Sequence, residues 1–177
     1  MILHIDGENR KCKAIDNFHE KNRKEMVPVM SEDLTRFHKA QERIYERALS
    51  EIRAGQKRSH WMWFIFPQIA GLGFSEMARY YAIKDLQEAK DYLADPVLGK
   101  RLIEISEELL KIPSDDPEEV MGYPDDLKLC SCMTLFEAAD STQAVFGKVL
   151  EKFYQGKRDE ETLRIIQSDL RDSSKKN

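Results

Sequence analysis

No apolar run in the chain approaches the roughly 18 residues that a membrane-spanning helix needs, so no such helix is expected. The N-terminus, MILHIDGENRKCK, has no apolar stretch ending in small residues and does not read as a secretory signal. Cys12, Cys130 and Cys132 are an odd number without a regular framework, which argues against structural disulfides and for reduced thiols in a cytoplasmic protein. Basic excess is also missing. Against 28 Lys and Arg stand 32 Asp and Glu, a net charge of -4 that leaves little electrostatic footprint for nucleic acid. The four histidines, His4, His19, His38 and His60, are scattered. There is no HExxH, P-loop, GxSxG or GxGxxG, hence no motif for a metal or cofactor. Gly71-Leu72-Gly73 lacks a third glycine and a preceding strand, and reads as a turn.

Strand signals are absent as well. No segment alternates with period two, and no Asn-Gly or Asp-Gly joins two alternating runs, since Asp6-Gly7 lies in a polar N-terminal stretch. No repeat occurs at a solenoid period. What remains is helical. Leu34, Phe37, Ile44, Ala48, Leu49 and Ile52 recur at helical spacing behind Ser31 as N-cap, with Glu32 and Asp33 in the first turn, and predict one amphipathic helix over about 32–54 that stops at Gly55. Ser75 and Asp85 are N-caps for the next two helices, and Asp95-Pro96 starts another that ends near Lys111. SDDPEEVMGY reads as a loop. Pro124 opens a helix through DDLKLCSCMTLFEAA that Asp140-Ser141 breaks; Val145 to Phe153 form a further stripe stopped by Gly156, and Asp159 caps a last helix. The expected class is all-α, with seven or eight helices, several of them short, around a buried aromatic-rich helix. Residues 1–30 read as an extension (Met30 can serve as an alternative start), 31–171 as a single helical domain, and 172–177 as a frayed tail.

Two segments are apolar on every side. In HWMWFIFPQ, residues 60–68, neither a helix nor a strand leaves a polar face, so periodicity does not decide. Helical neighbours and Ser59 as an N-cap favour a short buried helix that ends at Pro67. Met62, Phe64, Ile65 and Phe66 are then core. Trp61 and Trp63 each need a partner for the indole N–H. Lys57, Arg58 and His60 stand at the N-terminal end of this element, where free N–H groups favour an anion, and Gln68 stands at the other end. In DLKLCSCMTLF, residues 126–136, Lys128, Ser131 and Thr134 form a thin polar stripe. Either the two hydroxyls bond back to carbonyls four residues earlier while Lys128 reaches water, or the stripe lines a pocket opposite His60. Cys130 and Cys132 point about 160° apart on a helix and cannot share a metal. Lys128 and Ser131 make at most a weak nucleophile pair. Asp125-Asp126 and Asp115-Asp116 read as cap and loop carboxylates rather than acid/base pairs.

Residues about 33–166 resemble a bacterial family known as domain of unknown function 1810. The stretches AQERIYERALSEIRAGQKRSHWMWFIFPQIAGLG, SEMARYYAI, DLQEAKDYLADPVLGKRL, KLCSCMTLF and GKRDEETL carry the resemblance. It implies an entirely helical fold and no particular reaction. The family pattern covers His60, Trp61, Trp63, Pro67, Gln68, Gly71, Gly73, Tyr81, Leu98, Gly99, Arg101, Leu102, Lys128, Ser131, Thr134 and Asp159, whereas Cys132 stands where a serine is usual. That departure removes any role for a hydroxyl at 132 and argues against metal binding by the cysteines.

Two functions fit these residues. The first is a cytoplasmic binding module, or an enzyme of unknown reaction, for a small anionic or nucleotide-like ligand. Trp61 or Trp63 would stack on the ligand, Lys57, Arg58 or Lys128 would hold its anionic group, and Gln68 would orient it; Ser131 and Thr134 would line the pocket, and His60 would be the one acid/base candidate. The second is a protein–protein interaction module with a purely structural aromatic core. Oligomeric state leaves no trace in the sequence.

Overall fold

The computed structural model describes residues 34–174. The extension 1–30, the Ser31 cap with Glu32 and Asp33, Cys12 and residues 175–177 lie outside that range. Ten helices occur among the described residues: α1 Thr35–Gln41, α2 Tyr45–Arg53, α3 Met62–Ile65, α4 Glu76–Tyr80, α5 Leu86–Ala94, α6 Leu98–Lys111, α7 Pro117–Met121, α8 Asp125–Ala139, α9 Ala144–Tyr154 and α10 Glu160–Ser174. The all-α class is as expected, and the helix count is somewhat higher. Among these residues the only extended pairing is an isolated parallel bridge, Ile69 with Ile83. No helix of the described residues is long and apolar enough to cross a membrane.

Three local corrections have physical reasons. Where one helix is expected, the described residues 34–54 hold two, broken by a turn over 42–44, although nothing there is glycine or proline. α1 packs on α3 while α2 packs on α6, so tertiary contacts override a continuous helical pattern. SDDPEEVMGY is more than a loop: Asp116 accepts from the N–H groups of Glu118 and Glu119, Pro117 takes the first position, and α7 forms. The aromatic helix is a single turn that begins after Trp61, and Ser59 caps nothing; its hydroxyl goes to Glu51 instead. Other caps fall where the residues direct them. Ser75 accepts from Ala78 N–H, Asp85 from Glu88 N–H and Asp159 from Thr162 N–H. Asp95 takes the N–H groups of Val97 and Leu98. Lys152 on α9 points its ammonium at the carbonyls of Leu109, Leu110 and Ile112, where α6 leaves its last acceptors unpaired.

Aromatic side chains thread the core. Tyr81, Phe37, Tyr92, Phe136 and Phe146 follow one another with ring centroids 5.1–5.9 Å apart and in tilted or edge-on pairs, the arrangement that ring quadrupoles favour. The chain of rings joins α1, α5, α8 and α9. α5 and α6 approach so closely that a Cβ at Gly99 would stand 2.0 Å from the Leu93 carbonyl oxygen. α3 is buried except for Trp63 and has too few residues to satisfy its own backbone. Buried Gln41 on α1 supplies the missing donor, giving one N–H to the Phe64 carbonyl at 2.7 Å and one to the Tyr92 hydroxyl at 2.9 Å.

A candidate functional site where the aromatic segment meets helix α8

Glu51, on α2, is buried. Its carboxylate accepts from the N–H groups of Arg58 at 2.8 Å and Ser59 at 3.0 Å, the Ser59 hydroxyl at 2.5 Å, the Trp61 indole at 2.8 Å and Arg47 at 3.2 Å. Burial pushes this carboxyl up, but the hydrogen bonds from Ser59, Arg58 and Trp61 outweigh it and hold the group at about 2. The residue therefore stays ionised and fixes the path of 58–61, and the chain enters α3 along that path.

Lys57 is the residue just before this clamp. Its backbone N–H donates to the Val120 carbonyl of α7 at 2.8 Å, so the helix unforeseen in the sequence helps to place it. Its side chain is only 8 % exposed; the ammonium stands 5.1 Å from the centre of the Trp61 ring and 2.7 Å from Asp125. On the same carboxylate, at 2.7 Å from the other oxygen, lies Lys128, which stands 5.2 Å from the half-buried Trp63 ring. Each lysine thus pairs an indole face with one oxygen of Asp125. Burial raises the Asp125 carboxyl, and the Lys128 and Lys57 ammoniums bring it below its ordinary value. Two cations on one carboxylate leave a net positive charge, with ammonium donors to spare.

The residues expected at a site sort into three groups. Lys57, Lys128 and Trp63 are brought together around Asp125. Arg58, His60 and Gln68 have side chains with no partner among the described residues; Arg58 and His60 are exposed, and Gln68 is half-buried with its backbone carbonyl on Ile83 N–H. The third group serves the fold. Trp61 is fully buried with its N–H on Glu51, so it presents no face to a ligand. Ser131 donates to the Leu127 carbonyl at 3.2 Å and Thr134 to the Cys130 carbonyl at 2.8 Å, the backbone bonds that compete with a pocket role. Thr134 also accepts from Asp159 N–H at 2.9 Å, which fastens the start of α10 to α8. Ser131 and Lys128 do not pair, because Lys128 bonds Asp125.

Sequence reasoning missed two residues. Asp125 is no cap: α8 begins at Pro124 without a side-chain cap bond, and Asp125 bridges lysines instead. Its signal was the spacing to Lys128, three residues on, which puts both on one helix face. No sequence expectation fell on Glu51. It follows Ala48 by three residues and Ile44 by seven, which puts a carboxylate on the apolar stripe, and that was readable.

Comparisons with known proteins agree with this architecture. No curated protein matches the chain. A solved structure, that of a conserved hypothetical protein from Mycobacterium tuberculosis, is similar at 45 % identity and a TM-score of 0.75, over 76 % of this chain and 96 % of that one. The model of a protein family described as of unknown function, DUF1810, matches residues 31–166, and the chain belongs to that family.

Proposed function

We propose that the protein is a cytoplasmic binding protein for a small anionic, nucleotide-like ligand, held where the aromatic segment meets the start of α8. One observation carries this reading: Lys57 and Lys128, each against a tryptophan face, share the single carboxylate of Asp125. A phosphate or carboxylate arriving there completes the charge balance, and Lys128, 25 % exposed, is the ammonium that reaches it. Half-buried Trp63 offers a planar surface to a base or similar ring, which fully buried Trp61 does not. Gln68 and Arg58 supply uncommitted polar groups at the two ends of the segment, and exposed His60 is the acid/base if a reaction follows binding. The test is a thermal-shift screen of nucleotides and phosphorylated metabolites on wild type, Lys128→Ala and His60→Ala. Stabilisation of wild type that Lys128→Ala loses supports the site; equal shifts in all three proteins sink it.

A second reading, the interaction module, is favoured by a different surface. α4 buries none of its residues; Met77 and Tyr80 on it and Phe74 just before its cap stand exposed, Phe74 by 81 % and Tyr80 by 61 %. Clustered aromatics in water mark contact sites for apolar protein surfaces. The partner this reading commits to is a second copy of the chain. Sedimentation across a concentration series decides it: association in wild type that Phe74→Ser with Tyr80→Ser abolishes supports it, and a monomer throughout removes it.

A further inference from the structure

The group that Lys57 and Lys128 already hold indicates the kind of group they can take from solution. Asp125 gives one carboxylate oxygen to each ammonium, Oδ2 to Lys57 and Oδ1 to Lys128, both at 2.7 Å. Each ammonium has an indole face on another side, Trp61 at 5.1 Å and Trp63 at 5.2 Å from the ring centres. An ammonium carries three donors, and neither lysine has a further side-chain hydrogen-bond partner among the described residues, so both keep donors to spare. The two ammoniums flank a single carboxylate. Their separation is therefore set by a group with two oxygens on one centre. A second group of that kind bridges the same pair and closes a ring of alternating charge.

Charge narrows the class further. Two ammoniums and one carboxylate sum to a single positive charge, on lysine side chains only 8 % and 25 % exposed. In such a place the attraction grows in proportion to the charge of the ligand, whereas the cost of stripping its water grows with the square. A monoanion balances the site. A second negative charge loses more in hydration than it gains in attraction. The other charges nearby leave this count as it is. Glu51 is spent on Arg47, three N–H donors and a hydroxyl. Asp126, buried in the first turn of α8, faces the positive end of that helix. Arg58 and His60, like Glu118 and Glu119 on α7, are exposed, where water and salt screen them.

We infer that the site takes a singly charged group with two oxygens on one centre, a phosphodiester or a carboxylate, joined to a flat ring that lies on Trp63, in preference to a terminal phosphate. This preference rests on the anion site proposed above. Calorimetric titration of the full chain at pH about 8 compares three forms of one nucleoside. Thymidine 5′-phosphate is the dianion, since its second ionisation lies at about 6. Its methyl phosphodiester and thymidine 5′-carboxylate are the monoanions. Both monoanions are expected to bind wild type roughly fivefold or more tightly than the dianion does, and the tighter of them tells a phosphodiester from a carboxylate. Asp125→Asn doubles the positive charge and should reverse the order in favour of the dianion. Asp125→Ala repeats that test should the Asn variant fail to fold. Lys128→Ala should weaken all three. A dianion that binds wild type as tightly as the monoanions, or an order unchanged in the Asp125 variants, overturns the preference and leaves the anion site standing. No binding by any of the three removes the site and the preference together.

Discussion

Glu51 binds residues 58, 59 and 61 and Asp125 binds the neighbouring Lys57 side chain, and they do it by different physics. Glu51 is ringed mainly by neutral donors: two backbone N–H groups, a hydroxyl and an indole, with Arg47 only at the edge. Its charge is spread over groups that belong to the fold and cannot leave. Asp125 is held by two ammonium groups on long side chains, and the pair of cations outweighs its single charge. A carboxylate satisfied by backbone and indole is a structural fastener. A carboxylate shared between two lysines is an exchangeable partner, because an incoming anion offers each lysine the same interaction. The contrast teaches that burial and ion pairing alone do not distinguish a site from a scaffold; the identity of the donors does.

The comparison makes graded demands. Glu51→Gln turns one acceptor into a donor facing N–H groups, and urea unfolding should show a loss of about 3 kcal/mol. Trp61→Phe removes a single donor from the same carboxylate and should cost about 1.5 kcal/mol. Asp125→Asn leaves two ammoniums around a neutral amide and should cost about 1 kcal/mol; inorganic phosphate should then stabilise the variant more than wild type, and an equal response in both would erase the distinction drawn above. Lys128→Met breaks a partly exposed pair and should cost under about 1 kcal/mol while removing the ligand response. Acid adds a pH test. With its folded value held near 2 against an ordinary 4.5, Glu51 contributes stability above pH 4.5 that is lost as the pH falls from there through 2. Glu51→Gln should flatten that acid limb in a pH series of thermal melts, and Asp125→Asn should flatten it less.

Much of the fold was legible because caps and breakers are local. Ser75, Asp85, Gly55 and Asp159 each act within a few residues of their own position, and Gly55, with a φ of +82°, stops α2 as a glycine at that place should. The back-bonds of Ser131 and Thr134 and the need of Trp61 for an indole partner were readable for the same reason. The break at 42–44 was not, since it is imposed by α3 and α6, elements distant in sequence. α7 escaped because five residues give too short a period to recognise, although Asp116-Pro117 was a start signal in plain view. At the candidate site the cations and rings were visible one by one, but their convergence was not: Lys57 and Asp125 are 68 positions apart, and only the packing of α7 and α8 makes them neighbours.

The close approach at Gly99 has a mechanical consequence. With the Leu93 carbonyl oxygen 2.0 Å from where a Cβ would be, α5 and α6 meet backbone to backbone, with no side chain between them to act as a cushion. Such a joint leaves neither backbone room to move toward the other. α6 also carries, at its far end, the carbonyls gripped by Lys152, so it is fastened to α5 at its first turn and to α9 at its last.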